Sequence, residues 1–294
     1  MPRMDYGLVL PSLGDEANRD GMVAAAELAE EHGFTDVWAT DHILIDHAGA
    51  EDYGRIYEAI TTLAWLAGRT RAIRLGASVI VVPMRNAVVL AKQLATLDAL
   101  SEGRLIVGFG VGWSAAEFAN VGVSDRFHVR GAYTEETIAV CRHLWSGSRE
   151  PFHGRFHSFE DFSFQPLPAQ GVNVPIWLGG RDERALRRAG RLADAYHASA
   201  ASPSALAGRI PVVREAAEAS ARPMPRLSAR ARVEFDAGAE SFYTIHGSPA
   251  DVAADIRAFA DLGVDHLALA FPPRDAVGLR AIVARFMREV VPLV

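Results

Sequence analysis

Asp41 and His42 form the sharpest chemical pair in the chain, closing the short apolar run Asp36-Val37-Trp38-Ala39-Thr40. A histidine at the end of a strand can exchange a proton near neutral pH or polarise a substrate oxygen. Asp41 could hydrogen-bond a cofactor or tune the pocket, although consecutive strand residues point to opposite faces and need not touch. The plain alternative is a turn-capping aspartate beside a surface histidine, and position alone leaves both open.

Two glycine-rich joints follow. Gly179-Gly180-Arg181 comes after apolar Pro175-Ile176-Trp177-Leu178 and before a helical stretch with Ala185, Leu186 and Ala189. Glycines there let backbone N–H groups approach an anion at a helix N-terminus, and Arg181 would add charge. Phosphate binding is the preferred reading over an ordinary turn. Gly108-Phe109-Gly110-Val111-Gly112 superficially resembles a dinucleotide fingerprint. That fingerprint needs glycine at position 113, where Trp113 stands, and lacks a clear acidic partner downstream. Close backbone approach to a flat ring is the better reading, with a tight strand exit as the alternative. His153 and His157 have helical spacing, but Gly154 and the aromatic alternation around them oppose a helix, so no metal site is expected. Arg181, Arg184, Arg187, Arg188 and Arg191 read mostly as a solvated helix face.

Composition bounds what these residues can serve. The chain has 294 residues, half of them hydrophobic, enough for one large core. Lys plus Arg is 30 against 36 Asp plus Glu, a net charge of −6. This argues against a general nucleic-acid or anionic-membrane binder. The lone Cys141 cannot make an internal disulfide, which suits a reducing cytoplasm, and its helix-like surroundings mark it as a buried structural thiol. The N-terminus lacks the apolar region and cleavage site of a signal peptide. No stretch reaches roughly 18 apolar residues, so no membrane span is expected.

The elements that must position these groups repeat one joint. A helical stripe ends in glycine, and a continuous apolar strand begins two or three residues on: Gly33 before Asp36, Gly103 before Leu105, Gly263 before His266. Glycine takes the left-handed position after a helix cheaply, and continuous apolar strands suit a parallel sheet covered by helices. Eight strands are expected at 6–10, 36–39, 74–81, 105–109, 175–178, 194–198, 227–235 and 266–271. Helices are expected at 20–32, 57–70, 86–100, 131–146, 182–191, 203–219, 249–262 and 275–290. Eight strands alternating with eight helices read as one α/β domain over residues 1–294, a closed (β/α)8 TIM barrel, with an open doubly wound sheet as the alternative. Two insertions exceed a minimal barrel: 40–56 after strand two, and 147–174 between helix four and strand five. Both are expected over the barrel mouth, and the alternation of Phe152 to Phe164 predicts a hairpin. Barrel chemistry sits at the C-terminal ends of strands, which selects Leu10-Pro11-Ser12, Thr40-Asp41-His42, Val82-Pro83-Met84-Arg85, Gly108-Phe109-Gly110-Val111-Gly112-Trp113, Gly179-Gly180-Arg181 and His197-Ala198-Ser199.

Several ordered segments carry a resemblance across nearly the whole chain. They are Trp38-Ala39-Thr40-Asp41-His42, Leu75-Gly76-Ala77-Ser78-Val79, Arg104 to Trp113, Pro175 to Gly180, and Gly263-Val264-Asp265-His266-Leu267. Together they resemble luciferase-like monooxygenases, specifically the branch of F420-dependent oxidoreductases. The resemblance implies a (β/α)8 barrel, usually a homodimer, with the cofactor ring across its mouth. It implies that Asp41 and His42 face coenzyme and substrate, and that Ser78-Val79 carries a non-proline cis peptide behind the deazaflavin ring. It places Gly110, Gly112 and Trp113 near the ring, and Gly179 and Gly180 near the phosphate. Sugar-phosphate dehydrogenases of this branch have Glu where Trp113 aligns, which puts sugar oxidation in question. Ala195-Tyr196 replaces the usual Gly-Trp, and Gly247-Ser248-Pro249 the common Gly-Thr-Pro.

The resulting expectation is hydride transfer between coenzyme F420 and a small, apolar organic substrate, with His42 exchanging the substrate proton and Asp41 holding the cofactor side. The alternatives are an FMN-dependent monooxygenase using reduced flavin and oxygen, and a non-catalytic flavin-binding barrel.

Overall fold

A computed structural model describes residues 4–235, 243–272 and 275–294. Residues 1–3, part of the N-terminal stretch considered above, lie outside them. The strands are β1 Asp5–Val9, β2 Asp36–Ala39, β3 Arg74–Ala77, β4 Ile80–Val81, β5 Leu105–Gly110, β6 Phe152–His153, β7 Ser158–Phe159, β8 Ile176–Leu178, β9 Ala195–Ser199, β10 Arg226–Glu234, β11 Thr244–His246 and β12 His266–Ala270. The helices are α1 Arg19–Glu31, α2 His47–Tyr53, α3 Ala59–Ala67, α4 Ala87–Leu100, α5 Ala115–Asn120, α6 Arg130–Trp145, α7 Glu183–Leu192, α8 Pro203–Ala207, α9 Ile210–Ala219, α10 Pro249–Asp261 and α11 Ala276–Glu289.

Parallel pairing runs β1-β2-β3-β5-β8-β9-β10-β12 and returns from β12 to β1, closing an eight-stranded barrel. Its strands are buried on both faces, as their unbroken apolar sequences require. Helix starts follow from local chemistry. Asn18, Asn86, Asp182 and Asp275 each cap a helix by accepting from backbone N–H groups of its first turn, and Ser248 with Asp251 forms a capping box on α10.

The barrel interior is unusual for this architecture. Branched aliphatics commonly fill such barrels. Here Trp38 and Trp177 pack with ring centroids 4.9 Å apart, and the imidazoles of His197 and His266 fill the space beside them. Gly7 and Gly76 make room, since a Cβ on either would collide with the Trp38 indole.

Three expectations change. The predicted strand 74–81 is two strands, β3 and β4, divided at Ser78-Val79, whose peptide bond is cis. The ladder to β5 resumes beyond it, at Ile80 opposite Phe109. The predicted helix 203–219 divides at Gly208 into α8 and α9. The segment 147–174 does form the β6–β7 hairpin, but it lies along the flank of the barrel, its turn reaching Tyr133 in the first turn of α6, where His157 Nε2 lies 3.2 Å from Tyr133 Oη. It begins after α6 and ends before β8, so both ends lie at the opposite end of the barrel. It packs along α6, where Glu136 accepts from the N–H groups of Arg155, Phe156 and His157. The other insertion, 40–56, lies at the mouth as expected. Leu13 bridges Ile56, and Asn120 donates to the Leu44 carbonyl.

Candidate active site

β2 ends by delivering Asp41 and His42 to the barrel mouth, both buried. Their side chains diverge, as neighbours on an extended chain must. His42 turns toward α5, where its Nδ1 lies 2.8 Å from Glu117 Oε2. The other Glu117 oxygen accepts from the Ile43 N–H at 2.7 Å. Burial raises the Glu117 carboxyl, but the hydrogen bonds from His42 and Ile43 outweigh it and hold the group below the usual carboxylate range. An ionised Glu117 can only accept, so Nδ1 carries the hydrogen. Nε2 is engaged by no other described residue and is the nitrogen left for chemistry at the mouth. The imidazole packs against Tyr53, 4.3 Å away, and Trp113, 5.9 Å away, two rings that also stack on each other at 6.3 Å.

Glu117 is the functional residue that sequence reasoning missed. It lies 75 positions from His42 and on the solvent-suggestive sequence Ala115-Ala116-Glu117-Phe118. One signal was available: Ser114 caps α5 by accepting from Glu117 N–H, which sets the carboxylate in the first turn and at the mouth.

Asp41 turns the other way. Arg85 grips both of its oxygens at 2.7 Å, and Val81 N–H donates to one at 2.9 Å. Arg85 also reaches Glu58 at 2.9 Å. Asp41 therefore anchors β4 and the segment behind it.

That segment, Ser78 and Val79, forms the floor of the mouth. Arg230 on β10 donates to the Ser78 carbonyl at 2.8 Å and to Thr40 Oγ1 at 2.9 Å, tying the two sides of the barrel together. Val79 packs over the backbone of Gly108, Gly110 and Gly179. A Cβ on Gly110 would collide with the Val79 methyl, and one on Gly108 with the Ala77 carbonyl. The Val79 methyls and the glycine backbone give this floor a flat apolar patch that suits a planar ring, with the Ser78 hydroxyl 2.8 Å from His197 Nε2. Gly112, at φ +77°, turns the chain away from the floor and sets Trp113 at the rim, 58 % exposed. Exposed Ile43 and Leu44 add to an apolar rim.

Gly179 and Gly180 lie at the end of β8, and Arg181 is exposed beside them. Gly180 takes φ +127° and its carbonyl accepts from Tyr196 Oη at 2.8 Å. Asp182 caps α7 by accepting from Ala185 N–H, so one end-of-helix donor is already used. Three groups of expected residues are thus gathered around the mouth: Asp41 and His42, Ser78 and Val79, and Gly110 to Trp113. Gly179 joins them through Val79, while Arg181 stands outside this contact set. His153 and His157 lie away on the hairpin, bonded to Ser158 and Glu136.

Comparison with known proteins bears on the family and the fold. The profile of the luciferase-like monooxygenase family matches residues 4–237. The chain is 27 % identical to an F420-dependent glucose-6-phosphate dehydrogenase of Kineococcus radiotolerans, over 90 % of each chain. Among solved structures, the coenzyme F420 dependent tetrahydromethanopterin reductase from Methanopyrus kandleri superposes with a TM-score of 0.81 at 18 % identity, over 99 % of both chains. The oxygenating constituent of a diketocamphane monooxygenase from Pseudomonas putida, in complex with FMN, superposes with a TM-score of 0.81 at 16 % identity, over 99 % of both chains. At these identities the two structures speak for the fold alone. The match of the family profile over most of the chain decides the assignment, and the protein belongs to the luciferase-like monooxygenase family.

Proposed function

We propose that the protein is an oxidoreductase that transfers a hydride between coenzyme F420 and a small, largely apolar organic substrate. The observation that carries this reading is the His42–Glu117 pair facing an apolar mouth whose floor is Val79 and glycine backbone. Relatives named for F420-dependent dehydrogenation support the choice of coenzyme.

The coenzyme, when bound, supplies the hydride acceptor or donor. The chain's own residues do the rest. Val79, Gly110 and Gly112 present the floor to the ring, and Trp113 closes its rim. Asp41 acts through Val81 and Arg85, holding the 78–81 segment in register. Gly179, Gly180 and Arg181 would take the phosphate side. His42 accepts or returns the substrate proton at Nε2, while Glu117 fixes its tautomer and stabilises the imidazolium that forms. Trp113, Ile43 and Leu44 exclude water and favour an apolar substrate over a sugar phosphate. The reading includes a cytoplasmic homodimer, which light scattering on the purified protein would check. No described helix is long and apolar enough to cross a membrane.

The test is a titration with F420 and with FMN, followed by tryptophan fluorescence. Tight F420 binding with weak FMN binding is expected. The reverse would move the protein to the second reading, a flavin-dependent monooxygenase, which the match to the luciferase-like monooxygenase family favours. With a substrate in hand, His42→Ala should keep coenzyme binding and lose about 10²- to 10⁴-fold in turnover.

A further inference from the structure

A second polar system runs through the barrel below the mouth. Ser78 Oγ lies 2.8 Å from His197 Nε2. His197 Nδ1 lies 2.8 Å from Ser228 Oγ, which lies 2.7 Å from His266 Nδ1. His266 Nε2 lies 2.9 Å from Asp36 Oδ1. Thr35 Oγ1 and the Trp38 indole N–H also donate to Asp36. All five members are buried, and β2, β9, β10, β12 and the β3–β4 junction each supply one.

We propose that these five residues are a proton relay, storing at the His266–Asp36 pair one proton taken up at the mouth and thereby setting the direction of the Ser78 hydroxyl. Asp36 only accepts, so His266 Nε2–H always donates to it. With His266 neutral, its Nδ1 accepts from Ser228 O–H. Ser228 then accepts from His197 Nδ1–H, and His197 Nε2 accepts from Ser78 O–H. Filling the store reverses every bond above His266. A hydronium ion at the mouth gives a proton to Ser78 Oγ and leaves as water, and the serine's own proton passes to His197 Nε2. The Nδ1 proton passes to Ser228 Oγ, and the Ser228 proton to His266 Nδ1. One O–H bond of the hydronium and three O–H or N–H bonds of the protein break, four form in the protein, and the protein's net gain is the one proton. His197 is neutral in both states, and Ser78 now donates outward to any carbonyl oxygen or ring nitrogen on the mouth floor.

Both arrangements satisfy every buried group, which is what makes the chain switchable rather than merely structural. Burial, with His266 and Arg230 close by, pushes the His197 imidazole down to about 3, which keeps its charged form out of either state. Burial raises the Asp36 carboxyl, but the charge and hydrogen bond of His266 and the hydrogen bonds of Thr35 and Trp38 outweigh it and hold the group below the usual carboxylate range. The other charged groups facing the relay are Arg230 above it, Arg74 beside Asp36, and Arg226 with Asp5 and Asp265 at the end of the barrel opposite the mouth.

The test uses the whole protein labelled with ¹⁵N-histidine and reads ring tautomers by two-bond ¹H–¹⁵N correlation between about pH 8 and pH 5, the histidine range. His197→Gln and His266→Gln assign the signals. As pH falls, His266 should gain its second N–H, and His197 should change from Nδ1–H to Nε2–H at the same midpoint while staying neutral. Ser228→Ala should abolish the His197 change and leave His266 titrating, and Ser228→Thr should restore the coupling. A His197 tautomer that stays constant in the wild-type protein overturns the proposal, as does a change that survives in Ser228→Ala. The wild-type titration decides the matter even where a variant folds poorly. It needs no coenzyme, so its failure leaves the F420 reading standing.

Discussion

His42 and Asp41 are adjacent in sequence and act in different systems. His42 is tuned by Glu117, and Asp41 is locked by Arg85. The Glu117 carboxyl is held below its ordinary value of about 4.3, so its stabilising effect is complete above that pH and lost as pH falls through the depressed value. Glu117→Gln should therefore lower the melting temperature at pH 7, and the gap to the wild type should narrow below about pH 4. Thermal scans at both pH values check this; a constant gap would remove the carboxylate's charge from the explanation. Arg85→Met leaves a buried carboxylate without its cation and should cost about 3–5 kcal/mol in urea unfolding. A loss below about 1 kcal/mol would mean that Asp41 is satisfied by Val81 and solvent.

Elements meet through close backbone contacts that glycine alone permits. α7 and α9 cross at Gly190, where a Cβ would press on the Val213 carbonyl and on Ala216 and Ala217. Gly190→Ala should force the helices apart and cost roughly 1–3 kcal/mol, with little effect on coenzyme affinity, because α7 reaches the mouth only by its N-terminus. Gly110→Ala should do the reverse. Its Cβ displaces Val79 from the floor, so F420 affinity should fall more than the unfolding midpoint moves. Fluorescence titration and urea unfolding of both variants separate the two effects, and equal losses in both would show that the floor and the helix layer are not independent.

The closed barrel ties every strand to two neighbours, so interior groups open only with the whole sheet. Cys141 on α6 is fully buried, and burial pushes its thiol up to about 12. It should resist a thiol reagent in native buffer at neutral pH and react fully in guanidinium, its labelling rate reporting global opening. Rapid labelling of the native protein would show that α6 detaches locally. The same closure brings β12 beside β1 and places His266 against Asp36, 230 positions away. The relay is thus a property of the closed ring, not of any one βα unit.

The barrel could be read from the chain because its causes are local: glycine after helices, continuous apolar strands, capping residues before each helical stripe. His42, Asp41 and the glycine joints could be found because strand ends are visible as ends of apolar runs. The partners could not. Glu117 and Arg230 look like ordinary surface charges in sequence, Ser228 and His266 like strand filler, and Arg85, visible as a strand-end residue, gives no sign there of its partner Asp41. Their roles come from which strands become neighbours when the sheet closes, and hydrogen bonds a few ångströms long depend on that arrangement. The hairpin was legible from its alternation, but its place along α6 was not, since three backbone N–H groups meeting one carboxylate, Glu136, decided it. Local propensity is written in adjacent residues; proximity across the barrel exists only once the ring is formed.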